Sequence, residues 1–240
     1  MRFAPIVPVE YDPATLTDYH LILAHEVLEN DSLRGYYQRL KHHTIILDNS
    51  VIELGEPLSS EELSLAYSYF PGSILVLPDE MYESARTIAL AEEWFSGDRN
   101  NPCLMVVPQG RSPAEWFVCL GQLVKLAASR CERLVVGIGR YSEDWEGGRR
   151  YLFEEANRMR IWLGAYHLLG IQHTLEEITW AKEHSQIWGA DSSLPGRAAL
   201  MGVHSEEVPD LRVAPDLLTY EPRIHDEVQA EIIRVVHYVA

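Results

Sequence analysis

Three aspartates, Asp48, Asp79 and Asp191, and one glutamine, Gln109, each stand within two residues of the end of a short apolar run. The runs are Thr44–Leu47, Ile74–Leu77, Ala190 with its predecessors from Ile187, and Cys103–Val107. A carboxylate in such a place can attack carbon as a nucleophile, move a proton, or accept N–H groups from a ligand. A carboxamide offers a donor and an acceptor in one plane. The four residues therefore make a reacting and recognising set, provided that the fold brings the run ends together. Each also has a plainer reading. Asp191-Ser192-Ser193 could cap a helix, as could Asp79 before a helix starting near Tyr82. Asp48-Asn49-Ser50 and Gln109-Gly110 could be turns. No lysine stands among the run ends, which weakens a Schiff-base chemistry. His42, His43, His167 and His173 form no obvious metal triad with the aspartates, so no metal and no other cofactor is expected.

The elements that must position these residues recur with regular spacing. Eight short apolar runs, at 3–7, 20–24, 44–47, 74–77, 103–107, 134–136, 165–169 and 187–190, read as strands buried on both faces. Amphipathic stretches of helical length lie between most of them. Ser59–Phe70 opens on the capping-box pattern Ser59-Ser60-Glu61-Glu62, and Thr174–His184 opens on another. Ser112–Ala128 carries Pro113 in its first turn. A closing helix is expected over 221–239. Eight strands alternating with helices predict a parallel α/β fold, and the count favours a single-domain, TIM-like (β/α)8 barrel over an open sheet. The length of 240 residues suits a minimal barrel. Chemistry in such a barrel sits at the C-terminal strand ends, where all four residues fall.

Composition narrows the class. Hydrophobic residues at 47% and charged ones at 23% exclude a disordered or fibrous chain. No run approaches a membrane span, and the first residues lack a signal-peptide layout. Cys103, Cys119 and Cys131 show no paired spacing, which suggests no disulfide framework and no structural zinc. A cytoplasmic location is the expectation. The net charge of −16 disfavours indiscriminate polyanion binding. Residues 109–160 are the exception, with nine basic against seven acidic side chains.

The run ends, taken in order, resemble the tRNA-guanine transglycosylase superfamily, most of all its short phage-type members that place 7-deazaguanines in DNA. Ile46-Leu47-Asp48-Asn49-Ser50 stands where the family has Asp-Ser-Gly-Gly-Phe-Gln. Leu77-Pro78-Asp79-Glu80 is similar to a strand end carrying Asp-Glu, and Val107-Pro108-Gln109-Gly110 to Val-Gln-Gly. Val136-Gly137-Ile138-Gly139 stands at the Gly-Leu-Ala-Val-Gly position. Tyr166-His167-Leu168-Leu169-Gly170 is similar to Tyr-Leu-Met-Gly, and Ala190-Asp191-Ser192-Ser193 to the strand end with the nucleophilic aspartate. The segment 47–56, Leu47 to Glu56, looks like the phage-type Leu-Asp-Asn-Gly-Ala-Phe-Glu-Leu-Gly-Glu stretch. The likeness covers residues 3–200, and 201–240 carries no recognised motif. The family's zinc subdomain has no counterpart, and its Gly-Gly pair is replaced at Asn49-Ser50-Val51.

The resemblance implies base exchange in nucleic acid, DNA rather than tRNA, with free 7-deazaguanine as the entering base. It assigns Asp191 as nucleophile and Asp48 as acid–base residue. It assigns Asp79 as acceptor for the base's N1–H and 2-amino group. Gln109 and the backbone at Gly137 and Ile138 would donate to O6. Tyr11, Tyr82 and Tyr141 are candidates to stack on the base. Arg140, Arg149 and Arg150, in the one basic stretch, are expected to contact phosphates. Two rival readings are a tRNA-acting enzyme or non-catalytic binding subunit of the superfamily, and an unrelated metal-assisted barrel hydrolase.

Overall fold

In the computed structural model, residues 1–97, 103–171, 175–208 and 221–239 are described. Eight strands form: β1 (Arg2–Pro5), β2 (Tyr19–Leu23), β3 (Thr44–Asp48), β4 (Ile74–Val76), β5 (Cys103–Val106), β6 (Arg133–Ile138), β7 (Ala165–Leu168) and β8 (Ile187–Ser192). Every pairing is parallel, in the order β1-β8-β7-β6-β5-β4-β3-β2. β1 and β2 meet at the remaining seam without a ladder. The Thr17 hydroxyl donates to the Phe3 carbonyl there, at 3.1 Å. The sheet is thus a nearly closed barrel, the fold class expected.

The apolar runs alternate between two cores because strand side chains alternate in direction. Ala4, Leu21, Ile46, Val76, Met105, Val107 and Val135 fill the barrel interior. Phe3, Ile22, Leu47, Leu75, Leu104 and Val136 face outward under the helices, with Trp94 and Trp116. Those helices are α1 (Ala24–Glu29), α2 (Asp31–Gln38), α3 (Val51–Leu54), α4 (Ser60–Tyr69), α5 (Ser84–Ser96), α6 (Pro113–Ala127), α7 (Gly148–Arg158), α8 (Leu175–Lys182), α9 (Leu194–Met201) and α10 (His225–Val239).

Local signals explain several boundaries. Ser59 and Glu62 cap α4 reciprocally, side chain to backbone in each direction. Ser112 accepts from the Glu115 N–H at the start of α6, and Pro113 occupies its first turn. The capping box expected at Thr174 lies outside the described residues. The closing helix is α10, whose buried Val228, Ile232, Val235 and Val239 lie on one face. It packs on α9 and β1.

Two boundaries differ from the sequence reading in ways that matter at the mouth. β2 runs from Tyr19 to Leu23, and Ala24, the last residue of the apolar run 20–24, already opens α1. β6 runs from Arg133 to Ile138, longer at both ends than the apolar stretch Leu134–Val136. Gly137 carries no side chain to register as apolar, yet it pairs with His167 as an ordinary strand residue.

Candidate active site at the barrel mouth

Asp48, Asp79, Gln109 and Asp191 do converge. They line one cavity of about 140 Å3 with Glu53, Arg140, Tyr141 and apolar walls that include Leu23, Val51, Met81, Val107 and Leu169. β3 ends on Asp48, and its carboxylate accepts the Ser50 N–H at 2.8 Å. The turn reading of this segment is therefore correct as local geometry, and the turn serves to aim Asp48. Ser50 sits in left-handed backbone at φ 65. This is the place where the resembling family has its glycine pair, and a buried serine takes on the strain instead.

Asp79 is 2% exposed. One of its oxygens accepts from Asn49 Nδ2 at 2.6 Å and the other from Gln109 Nε2 at 2.5 Å. Asn49 also donates to the Leu77 carbonyl, and its own oxygen accepts the Val51 N–H. The Tyr82 N–H donates to Gln109 Oε1 at 3.1 Å, which settles which way the amide faces. Tyr82 reaches it through left-handed backbone, φ 65. Asp79 caps no helix, since Glu83 stands at the start of α5. Gln109 is first of all the holder of Asp79, with its remaining amide proton toward Met81 Sδ.

Asp191 lies inside β8 and caps nothing; α9 follows Ser193. It is 2% exposed. Oδ1 is 2.8 Å from His167 Nε2, and Oδ2 accepts the Gly170 N–H at 3.0 Å. Gly170 turns at φ 63, a conformation that directs its N–H back at β8 and that suits glycine. His167 Nδ1 is in turn 2.7 Å from the Tyr19 hydroxyl.

Electrostatics set the aspartates apart. Burial pushes the Asp48 carboxyl up to about 8, against the opposing pull of the Ser50 N–H and with help from Glu53, Asp79 and Asp191. Burial also raises Asp79, but its bonds from Asn49 and Gln109 hold it to about 6. Burial thus favours the protonated form of Asp48 more strongly than that of Asp79.

Several expected residues lie elsewhere. Gly137 and Ile138 do not line the cavity; Gly139 and Arg140 do, because β6 extends through Ile138. A Cβ at Gly137 would stand 2.8 Å from Leu169 Cδ1, so this glycine serves barrel packing. Tyr11 is buried against α10, stacked on His225. Tyr141 is the cavity's aromatic wall, fixed by its hydroxyl on the Pro108 carbonyl at 2.6 Å, with Tyr82 set edge-on to it.

Arg149 is fully buried and cannot meet a phosphate. It bonds Glu143, Glu177 and the Leu169 carbonyl. Arg150 lies over the Trp180 ring at 5.2 Å. Of the three arginines only Arg140 faces the mouth.

His167 and Tyr19 carry the largest surprise. Their inward direction follows from strand alternation with Leu169 and Leu21, but a polar residue in a buried run gives no sign of its face until the sheet closes. Among the described residues no three His, Cys, Asp or Glu side chains are grouped to hold a metal ion. None of the helices there is long and apolar enough to cross a membrane.

No family model and no curated protein matches the chain. Among solved structures, a sugar phosphate isomerase/epimerase from Parabacteroides distasonis superposes with a TM-score of 0.47 and 8% identity, over 92% of this chain and 94% of that one.

Proposed function

We propose that this barrel is a base-exchange transglycosylase that replaces guanine by a 7-deazaguanine in nucleic acid, DNA in preference to tRNA. The observation that carries the proposal is the division of labour among three aspartates in one mouth. Asp191 is held by hydrogen bonds on both oxygens, the Asp48 carboxyl is pushed furthest upward by burial, and Asp79 is anchored by Asn49 and Gln109. The motif resemblance supports the same assignment.

An Asp191 oxygen attacks C1′ as the C1′–N9 bond breaks, through a transition state with oxocarbenium character. The bond pair leaves with the purine, which takes the Asp48 proton. The sugar is then esterified to Asp191. The entering base returns its N9 proton to Asp48 and attacks C1′, which frees Asp191. Asp79 accepts from the N1–H and 2-amino group, Tyr141 covers a face, and Arg140 meets the phosphate beside a base taken out of its stack.

Replacement of Asp191 by Asn keeps shape and removes the anionic nucleophile. The variant should fold and lose exchange entirely, while wild-type protein given guanine-containing nucleic acid and no entering base should leave a denaturation-resistant nucleic-acid adduct. Mass spectrometry of nucleosides from DNA and tRNA of expressing cells separates the two polymers. Near-normal exchange by Asp191→Asn would refute the assignment.

A further inference from the structure

Below the mouth lies a chain of three buried groups that no step above uses in full. Tyr19 and His167 are each 0% exposed. The Tyr19 hydroxyl meets His167 Nδ1 at 2.7 Å, and His167 Nε2 meets Asp191 Oδ1 at 2.8 Å. The three residues come from β2, β7 and β8. We propose that Tyr19 and His167 are positioning residues that lock the Asp191 carboxylate into one orientation, with Tyr19 fixing which nitrogen of His167 carries the proton.

The direction of each bond follows from the inventory of donors. A carboxylate only accepts, so His167 Nε2 must donate to it. A neutral imidazole then has a lone pair at Nδ1, and the Tyr19 hydroxyl supplies the proton that it needs. Burial first, and the nearby Asp191 charge second, push the Tyr19 hydroxyl well above its ordinary range, so it stays a donor. The remaining Asp191 oxygen is taken by the Gly170 N–H at 3.0 Å. Two donors on different oxygens fix the carboxylate plane and leave one lone pair on each oxygen for the mouth.

The surroundings are built for the same chain. Gly189 pairs with His167 across the β7–β8 ladder. A Cβ there would stand 2.5 Å from the Tyr19 hydroxyl, so any side chain at 189 would push the phenol off His167. Trp188 packs edge-on against the Tyr19 ring, and the Arg2 guanidinium lies 5.6 Å from the Trp188 ring. The relay thus has a rigid floor.

The role in catalysis rests on Asp191 being the nucleophile; the tautomer does not. Two measurements keep these apart. Imidazole nitrogen NMR, with His167 assigned by the loss of its signals in His167→Gln, should show the Nε2–H tautomer in wild type and its loss or mixing in Tyr19→Phe. Exchange kinetics should show kcat reduced about 10- to 100-fold in Tyr19→Phe and His167→Leu, the scale on which outer partners act on a site. KM for free base should hold, because Asp79, held by Gln109, reads the base. His167→Gln keeps an N–H for Asp191 and an oxygen for Tyr19, so it should restore most of kcat. Gly189→Ala should copy Tyr19→Phe although it alters no relay group. An Nδ1–H tautomer in wild type, or a folded His167→Leu with wild-type kcat, overturns the proposal. Wild-type protein with the Nε2–H tautomer and no adduct on any nucleic acid instead overturns the transglycosylase reading and the catalytic role, with the lock on Asp191 upheld.

Discussion

Asp48 and Asp79 are the same side chain in two environments, and the difference supports the separate roles proposed for them. Asp48, pushed up to about 8, holds a proton to give; Asp79, at about 6, is free to accept. Exchange should follow a bell in pH, with the acidic limb near 6, where Asp79 takes a proton, and the alkaline limb near 8, where Asp48 loses one. The Asp79 charge is among those that raise Asp48, so the limbs belong to the coupled cluster. Asp48→Asn should lower exchange by about 10²- to 10⁴-fold and remove the alkaline limb. The same substitution should stabilise the fold. From about pH 4 to 8 the unfolded chain has released a proton that folded Asp48 retains, so its burial costs more stability as pH rises. Asn carries no such cost. The gain should be small at pH 4 and grow steadily toward pH 8, read from urea unfolding at the two pH values. At this scale the four mouth residues were legible because each closes an apolar run. Asn49 was visible beside Asp48, yet its grip on Asp79 was not, since the partner stands 30 residues away.

Between elements, Arg149 is the clearest case of a charge whose meaning changes with its surroundings. In sequence it belongs to the one basic stretch. In the fold it joins the 3-10 turn Arg140–Asp144 through Glu143, the end of β7 through the Leu169 carbonyl, and α8 through Glu177. Burial pushes Glu177 up to about 7 even with Arg149 pulling it down. Arg149→Met should therefore cost about 3 kcal/mol by leaving Glu177 without its cation. The loss should be larger at pH 8 than at pH 6, because Glu177 can take a proton at the lower pH and is ionised at the higher. Unfolding curves at the two pH values test this; equal losses would count against a charge origin. The turn that carries Arg140 and Tyr141 loosens in the same variant, so KM for base should rise. Strand and helix order was legible here from apolar spacing and caps. The end of β6 was not, because Gly137 and Gly139 look alike in sequence. One packs inside the barrel, and only the other lies on the cavity.

Across the whole molecule, a net charge of −16 sets the terms on which a polyanion can approach. The mouth sharpens this, with Glu53, Asp79 and Asp191 around it and Arg140 as the cation in its lining. With Arg149 buried and Arg150 exposed over Trp180 outside the cavity lining, Arg140 is the member of the expected triad that stands at the mouth. Each phosphate neutralised on duplex DNA contributes about −0.9 to the slope of log affinity against log salt, and about −0.7 on single strands. Binding of DNA to the resting protein should therefore be weak, with a slope near −1 and not near −3. Arg140→Gln should bring the slope close to zero. Arg150→Gln should leave it unchanged, and neither should alter affinity for free base in calorimetry. A wild-type slope of −3 or steeper would place the nucleic-acid surface away from the mouth. Arg34, Arg39 and Lys41 are then the next residues to replace, although Arg34 already pairs with Asp31 and covers the Tyr69 ring. A slope of zero in wild type would say that no phosphate is held at all. The base exchange proposed for the three aspartates would then have to act on a free nucleoside, and mass spectrometry of small-molecule products would take the place of polymer digests.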